Sequence, residues 1–246
     1  MKNWRWQALL SAGLVLLTAG LYWLHFYFFH DTHHIFIYLL GDVAFLPVQV
    51  LFVTLIINRL LSSRDKRVKL KKLDMVIGTF FSEAGNELLR HFLGFEKNDA
   101  DLKAVVLHDR GWSDRDFRRL QQRLPGYAYA IDPGKGSLPQ LKVFLASRRG
   151  FLLGLLGNPN LLEHDKFTDL LWAVFHLTDE LVQRQDLDAL PPADRQHLAQ
   201  DLRRALHLLV LEWLAYMQHL KHDYPYLFSL AIRTNPFDPQ ASPVIR

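Results

Sequence analysis

Glu83, Glu87 and His91 are spaced by four residues, so a helix would carry all three side chains on one stripe. Two carboxylates and an imidazole on one stripe can hold a divalent metal ion or transfer protons. A ferritin-like centre would need Glu-x-x-His pairs on two helices, and the sequence contains none. A solvated or core polar stripe is therefore the preferred interpretation, and a membrane-anchored metalloenzyme using these residues stands as a third hypothesis.

Further histidines fall in segments with a helical pattern. They are His164, His176, His197, His207, His219 and His222. His219 and His222 are separated by three residues and precede Asp223, and Glu212 stands in an otherwise apolar stretch. These groups could converge on the stripe that begins at Glu83, which the sequence alone leaves open.

A histidine-rich turn lies between two apolar segments near the N-terminus. It contains His30, Asp31, His33 and His34. Neutral imidazole binds Zn²⁺, Cu²⁺ or Ni²⁺ and also titrates near neutral pH, so the turn could hold a metal or sense acidity. A short turn cannot easily direct all its rings at one ion. A polar turn at the membrane interface is therefore preferred over both alternatives.

Asp42 and Gln49 are the strongly polar side chains of the second apolar segment, and they lie seven residues apart on one helical face. Pro47 stands between them and frees one backbone carbonyl from its usual helical partner. Such a face could line a cation or proton route in an oligomer. The preferred interpretation is a hydrogen bond between helices, and a third is an Asp42 that snorkels to the outer interface.

Residues 8–29 and 35–57 form two long runs with few polar side chains. A 22-residue helix is roughly 33 Å long and spans a hydrocarbon core of about 30 Å. A cleaved signal peptide is disfavoured, because the first run is long and ends in bulky aromatic residues. Two membrane spans are predicted. Span one also carries small residues that permit close helix packing and oligomerisation, Ala12, Gly13, Ala19 and Gly20.

A basic collar, residues 59–72, follows span two. Its basic residues are Arg59, Arg64, Lys66, Arg67, Lys69, Lys71 and Lys72. Because the turn 30–34 has no Lys or Arg, the positive-inside rule places both termini in the cytoplasm. The collar is expected to contact anionic lipid head groups rather than nucleic acid, since it adjoins the bilayer and lacks interleaved aromatic residues.

The rest of the chain predicts an all-α fold with a cytoplasmic bundle of about five helices, because no strand-like alternation follows residue 60. The predicted helices cover 73–95, 114–124, 138–149, 160–185 and 193–222. Span two is expected to continue through the collar as one helix. The glycine-rich turn 132–137 lacks the spacing of a phosphate-binding loop. The predicted organisation is a hairpin 1–58, the collar 59–72, a helical domain 73–223 and a Pro-rich extension 224–246.

The amino-acid composition excludes several kinds of functional site. The 246 residues include no Cys, which excludes disulfides, a Cys nucleophile and thiolate metal sites, and the net charge of +4 comes mostly from the collar. The leading hypothesis is a non-enzymatic, homo-oligomeric inner-membrane protein whose cytoplasmic domain serves assembly or sensing, with an unidentified cytoplasmic protein as a further partner. Its main rival is a channel lined by Asp42. No cofactor is predicted, and a divalent metal is kept as an alternative.

Overall fold

The computed structural model describes residues 2–107, 112–159, 161 and 164–245, and of residues 2–5, 8 and 60–73 it describes the backbone only. Within these residues the regular structure is helical, apart from an isolated β-bridge between Glu96 and Ile131. The prediction of an all-α fold is therefore confirmed. The contacts divide the chain into two units, Met1–Lys66 and Arg67–Arg246.

The N-terminal unit consists of apolar helix. α1 (Lys2–Phe29) is followed closely by α2 (Thr32–Phe80). Their apolar windows, Leu9–Phe29 and Thr32–Arg59, are long and apolar enough to cross a membrane, and neither window contains a buried residue. α2 continues beyond its apolar part, so the second apolar segment and the basic collar belong to one helix, as the sequence predicted.

A π-helical turn, Phe81–Gly85, follows α2, where the sequence predicted an uninterrupted helix over 73–95. A π turn inserts about one extra residue and rotates the helix that follows it. Phe80 and Phe81 are both fully buried there, and their ring centroids lie 5.1 Å apart, edge to face. Gly85 permits this packing, because a Cβ at that position would lie 2.7 Å from Phe81 Cδ1.

Further helices complete the C-terminal unit. They are α3 (Asn86–Leu93), α4 (Asp99–Leu107), α5 (Asp114–Arg123), α6 (Leu138–Leu156), α7 (Asp165–Gln183), α8 (Pro192–Asp223) and α9 (Pro225–Arg233). The sequence predicted α5, α7 and α8 to within a few residues but missed α4 and α9. It also ended α6 at residue 149, whereas the helix continues through Gly150 and Gly154. Glycine costs helix stability, but the packing of Leu152 and Leu155 in the core outweighs that cost.

α8 lies at the centre of the C-terminal unit and packs against α3, α5, α7 and α9, while α6 packs on the other side of α7. The largest buried side chain is Trp213 of α8. Phe237, beyond α9, is also fully buried and lies 4.9 Å from the ring of Trp213. The segment after residue 224 therefore contributes to the core.

Candidate metal centre

α7 and α8 each carry a histidine followed four residues later by a carboxylate. His176 and Glu180 lie on α7, and His197 and Asp201 lie on α8. Residues four apart share a helical face, so each helix presents an imidazole beside a carboxylate. The two pairs meet where α7 packs against α8.

The four side chains converge. His176 Nε2 lies 3.4 Å from Asp201 Oδ2 and 3.8 Å from Glu180 Oε1. His197 Nε2 lies 3.3 Å from Asp201 Oδ2 and 3.6 Å from Glu180 Oε2. Two atoms that bind one Zn²⁺ at about 2.0–2.1 Å in tetrahedral geometry are about 3.3 Å apart. The four imidazole–carboxylate separations, 3.3–3.8 Å, lie close to that value, and His176, Glu180 and His197 offer ligand atoms that all lie within 4.8 Å of one another.

Asp201 supplies the buried end of this cluster. Its side chain is 4% exposed, and Oδ2 receives no hydrogen bond from the residues that the structure describes. A buried acceptor without a partner costs about 1–3 kcal/mol. A metal cation or a protonated imidazole would supply the missing interaction.

Arg184 fixes the second carboxylate. Its Nη1 donates to Glu180 Oε2 at 2.5 Å, and its Nε donates to Asp194 Oδ2 at 2.8 Å. The hydrogen bond from Arg184 lowers the pKa of Glu180 below its usual range, so Glu180 is ionised at neutral pH. Three linked carboxylates face two guanidinium groups, those of Arg184 and Arg204. One negative charge is therefore in excess, which favours a cation.

The ligand types indicate which ion would bind. Imidazole together with carboxylate suits Zn²⁺ and neighbouring transition metals, whereas Mg²⁺ and Ca²⁺ prefer oxygen ligands alone. The side chains of His176 and His197 are each 47% exposed, so one side of the cluster faces solvent. The arrangement can therefore hold a divalent transition-metal ion close to the protein surface.

The three side chains of the predicted stripe, those of Glu83, Glu87 and His91, each contact a different partner. Glu87 accepts a hydrogen bond from Arg90 at 2.8 Å, and Glu83 faces Arg148 at 3.9 Å. The ring of His91 packs against an aromatic ring of α6, with centroids 5.0 Å apart. In the described part of the chain, these three side chains do not form a metal-ligand group.

Two other titratable groups of α8 have their own surroundings. His219 Nδ1 lies 2.9 Å from Asp223 Oδ2, and its Nε2 faces Asp74 at 3.7 Å. Glu212 is 4% exposed and lines a cavity of about 520 Å³. Burial raises the pKa of Glu212 above its usual range.

Asp42 lines a cavity of about 560 Å³ within the N-terminal unit. The lining residues are Thr18, Leu21, Tyr22, His25, Ile35, Tyr38 and Asp42. Nε2 of His25 is buried and has no hydrogen-bond partner among the described residues. Pro47 lies inside α2 without ending it, and the exposed Gln49 is not among the lining residues. Asp42 and His25 thus line one cavity that Gln49 does not line.

The small residues of α1 make no close helix contact within the described chain. Ala12, Gly13, Ala19 and Gly20 are exposed. A Cβ at Gly13 or Gly20 would meet no atom within 4 Å. Their face is therefore open to another helix.

The histidine-rich turn is a helix cap. His30 adopts a left-handed conformation, with a φ of 49°, and the backbone N–H of His34 donates to Asp31 Oδ1 at 3.1 Å. This is the way an aspartate caps a helix N-terminus, here that of α2. His33 and its neighbours do not form a metal-ligand group within the described residues.

Arg59, at the start of the collar, is exposed. The remaining basic side chains predicted to contact lipid lie outside the side chains that the structure describes. They are Arg64, Lys66, Arg67, Lys69, Lys71 and Lys72.

The sequence analysis did not predict the cluster on α7 and α8. Its signal is the spacing His-x-x-x-Glu on one long helical segment and His-x-x-x-Asp on the next. That spacing alone could not show which faces of the two helices meet.

Comparison with known proteins identifies the family. A family model of the MJ1433 N-terminal helical domain matches residues 1–61, and one described as "Uncharacterized protein MJ1433, C-terminal helical domain" matches residues 69–233. The uncharacterized protein MJ1433 of Methanocaldococcus jannaschii is 42% identical over 238 residues, which cover 97% of this chain and 96% of that protein. No solved structure matches the chain. The chain belongs to the MJ1433 family.

Proposed function

We propose that this protein is a two-span membrane protein whose helical C-terminal unit binds one divalent transition-metal ion. The observation that carries the proposal is the convergence of imidazole and carboxylate atoms from α7 and α8, with contacts of 3.3–3.8 Å, beside the buried Oδ2 of Asp201, which receives no hydrogen bond from the described residues. Zn²⁺ is the ion that best suits two imidazoles and two carboxylates.

A sensing role follows from the position of this site. An ion held by both helices would fasten α7 to α8. An ion that binds only the folded state stabilises it by about 2.7 kcal/mol when its concentration is a hundred times Kd. The metal concentration would thereby control how firmly α7 is held against α8. We infer that the C-terminal unit senses a metal ion. This ion would be the ligand in the assembly or sensing role that the sequence predicts.

Membrane insertion is supported by the surface of the N-terminal unit. Both apolar windows are long enough to span a bilayer and keep their apolar side chains exposed. The basic collar favours the inner, cytoplasmic side for both termini. The metal-binding unit would then lie in the cytoplasm.

Metal titration of the purified full-length protein in detergent tests the metal site. After removal of bound metal by a chelator, the protein is expected to take up one Zn²⁺ per chain. Co²⁺ in its place should give the visible absorption of a low-symmetry site. His176→Ala and His197→Ala should weaken binding at least about tenfold, as loss of a ligand does. His222→Ala is the matched control, because His222 is an exposed histidine on the same helix α8. Uptake that is equal in all four proteins would contradict the site.

Conduction by a homo-oligomer is a second candidate. It is favoured by the cavity that Asp42 shares with His25, because ionisable side chains in an apolar span mark routes for ions or protons. The open face of Gly13 and Gly20 is where a second copy would pack. Native mass spectrometry should then give a closed ring of four or more chains, and Asp42→Asn should reduce bilayer conductance. A monomer or dimer would rule out a central pore.

A further inference from the structure

A further cavity lies beside the segment that precedes α6. It has a volume of about 400 Å³ and faces the middle of α8. Its lining residues are Tyr127, Ala128, Tyr129, Gln200, Arg203, Arg204 and His207. No carboxylate is among these residues. This lining is rich in hydrogen-bond donors.

Tyr129 is the buried donor of this cavity. The residue is 5% exposed, and its hydroxyl has no hydrogen-bond partner in the described part of the chain. Burial raises the pKa of the phenol, so it stays protonated and can donate. The carboxylate of the nearby Glu96 accepts hydrogen bonds from the backbone N–H groups of Asn98 and Ala130 instead. The Tyr129 hydroxyl therefore lacks the acceptor that a buried phenol normally finds.

The two arginines of the cavity are also poorly paired. Arg203 has no ion pair among the described residues, and the ion pair of Arg204 is a loose one, 3.8 Å from Asp201 Oδ1. Desolvation lowers the pKa of His207, which keeps the ring neutral and able to donate one N–H. Tyr127 differs, because its hydroxyl already donates to Asp101 Oδ2 at 3.0 Å. Its ring lies edge to face with that of Tyr129, with centroids 4.9 Å apart, and forms an aromatic wall.

We propose that this cavity binds a phosphate group. Two guanidinium groups match the planar, bidentate geometry with which arginine binds phosphate oxygens. The Tyr129 hydroxyl would supply a further donor from the buried end. The cavity is larger than one phosphate ion, and the wall formed by Tyr127 suits the organic part of a small phosphate monoester. This site goes beyond the metal centre and uses none of its ligands.

Phosphate binding is tested by calorimetry on the full-length protein in a phosphate-free detergent, with a chelator present so that metal plays no part. Inorganic phosphate and phenyl phosphate are the soluble probes, and phenyl phosphate should bind more tightly because of the aromatic wall. Vesicles containing phosphatidic acid, compared with neutral vesicles, show whether the phosphate belongs instead to a lipid head group. Binding to either source, removed by the variants below, supports the site.

Substitutions of the lining residues distinguish side chains that bind a ligand from side chains that only stabilise the fold. Arg203→Ala and Arg204→Ala should each weaken binding about 10–100-fold, as expected for a lost charge-assisted hydrogen bond. Tyr129→Phe should weaken binding several-fold and yet raise the Tm of the ligand-free protein, because it removes a buried hydroxyl without a partner. Arg118→Ala, an exposed arginine of α5, and Tyr216→Phe on α8 are controls that should bind as the wild type does.

Two results would overturn the proposal. One is the absence of saturable binding for both soluble probes and for the acidic vesicles. The other is binding that Tyr129→Phe and the two arginine variants leave unchanged. Because the titration excludes metal, its failure would not affect the metal centre.

Discussion

Buried polar atoms without partners mark the chemistry of this protein at the scale of single residues. Asp201 Oδ2 and the hydroxyl of Tyr129 are two such atoms in the C-terminal unit. Each costs about 1–3 kcal/mol while it lacks a partner. Imidazoles lie beside Asp201, and two arginines line the same cavity as Tyr129. A ligand for each would recover that cost.

The Asp201→Asn substitution should raise the stability of the metal-free protein and weaken its stabilisation by metal. In the presence of a chelator, we expect the variant to be more stable than the wild type by about 1 kcal/mol, because the buried charge is gone and an amide can donate to a neighbouring group. Urea denaturation measures this difference. Zn²⁺ should stabilise the variant less than it stabilises the wild type. Asp169→Asn, an exposed change on α7, should alter neither quantity. An Asp201→Asn protein that is destabilised without metal would show that the ion pairs of Asp201 with the imidazoles and Arg204 already stabilise the fold.

Glu212 gives a prediction about pH. Desolvation raises its pKa in the folded state above the value of 4.5 in the unfolded chain, although His164 and Lys166 oppose the shift. The unfolded chain therefore releases this proton at lower pH than the folded protein does. Stability is fully present below about pH 4.5 and is lost as pH rises through the folded pKa.

Glu212→Gln should remove this loss. Relative to the wild type, the variant should gain stability progressively as pH rises from 4.5 through the folded pKa of Glu212 and then keep a constant advantage. Urea midpoints between pH 4 and 8 measure the effect. Glu83→Gln, whose side chain is 55% exposed, is the matched control and should run parallel to the wild type. A constant difference for Glu212→Gln at all pH values would mean that its pKa is not raised.

The stripe chosen from sequence spacing lies apart from the cluster on α7 and α8. Glu83 faces Arg148 and Glu87 pairs with Arg90, and within the described residues these carboxylates do not join a metal-ligand group. His176 and His197 also have a carboxylate four residues later in the sequence. Their convergence, however, depends on the register of α7 against α8, and register between two helices is a tertiary property that one sequence does not encode locally.

At the scale of elements, local signals placed some helices and missed others. The helix predicted over 114–124 begins where Ser113 caps α5 in a capping box with Asp116. α9 was missed because Pro225 was assigned to a Pro-rich extension, although proline suits the first turn of a helix. The π turn was missed for another reason. It depends on how the rings of Phe80 and Phe81 pack, which helical periodicity does not show.

Two glycines in helices should respond oppositely to alanine. Gly85→Ala should cost about 1–3 kcal/mol, because its Cβ would lie 2.7 Å from Phe81 Cδ1 and 2.8 Å from Phe80 Cε1. Gly150→Ala should stabilise the protein by about 0.5–1 kcal/mol, because no atom lies within 4 Å of the added Cβ and alanine favours helix. Thermal unfolding of the two variants tests the pair. Equal effects would show that the π turn does not constrain Gly85.

At the scale of the whole molecule, the core and the exposed apolar surface occupy different parts of the chain. Among the described residues, the buried apolar side chains begin at Ile77. The helices before the collar expose nearly all of theirs. Exposed apolar surface of that kind is typical of helices that contact lipid or another chain.

This division predicts that the two units can be separated. A chain that begins at Arg67 keeps every buried residue of the core, so we expect it to be soluble without detergent, cooperatively folded and able to bind Zn²⁺ with the affinity of the full-length protein. Circular dichroism and the same metal titration measure this. The full-length chain should instead stay in the membrane fraction after alkaline extraction and need detergent to remain monodisperse. A full-length protein that is soluble and monomeric in plain buffer would contradict membrane insertion, because no bilayer would then be needed to cover α1 and the first part of α2.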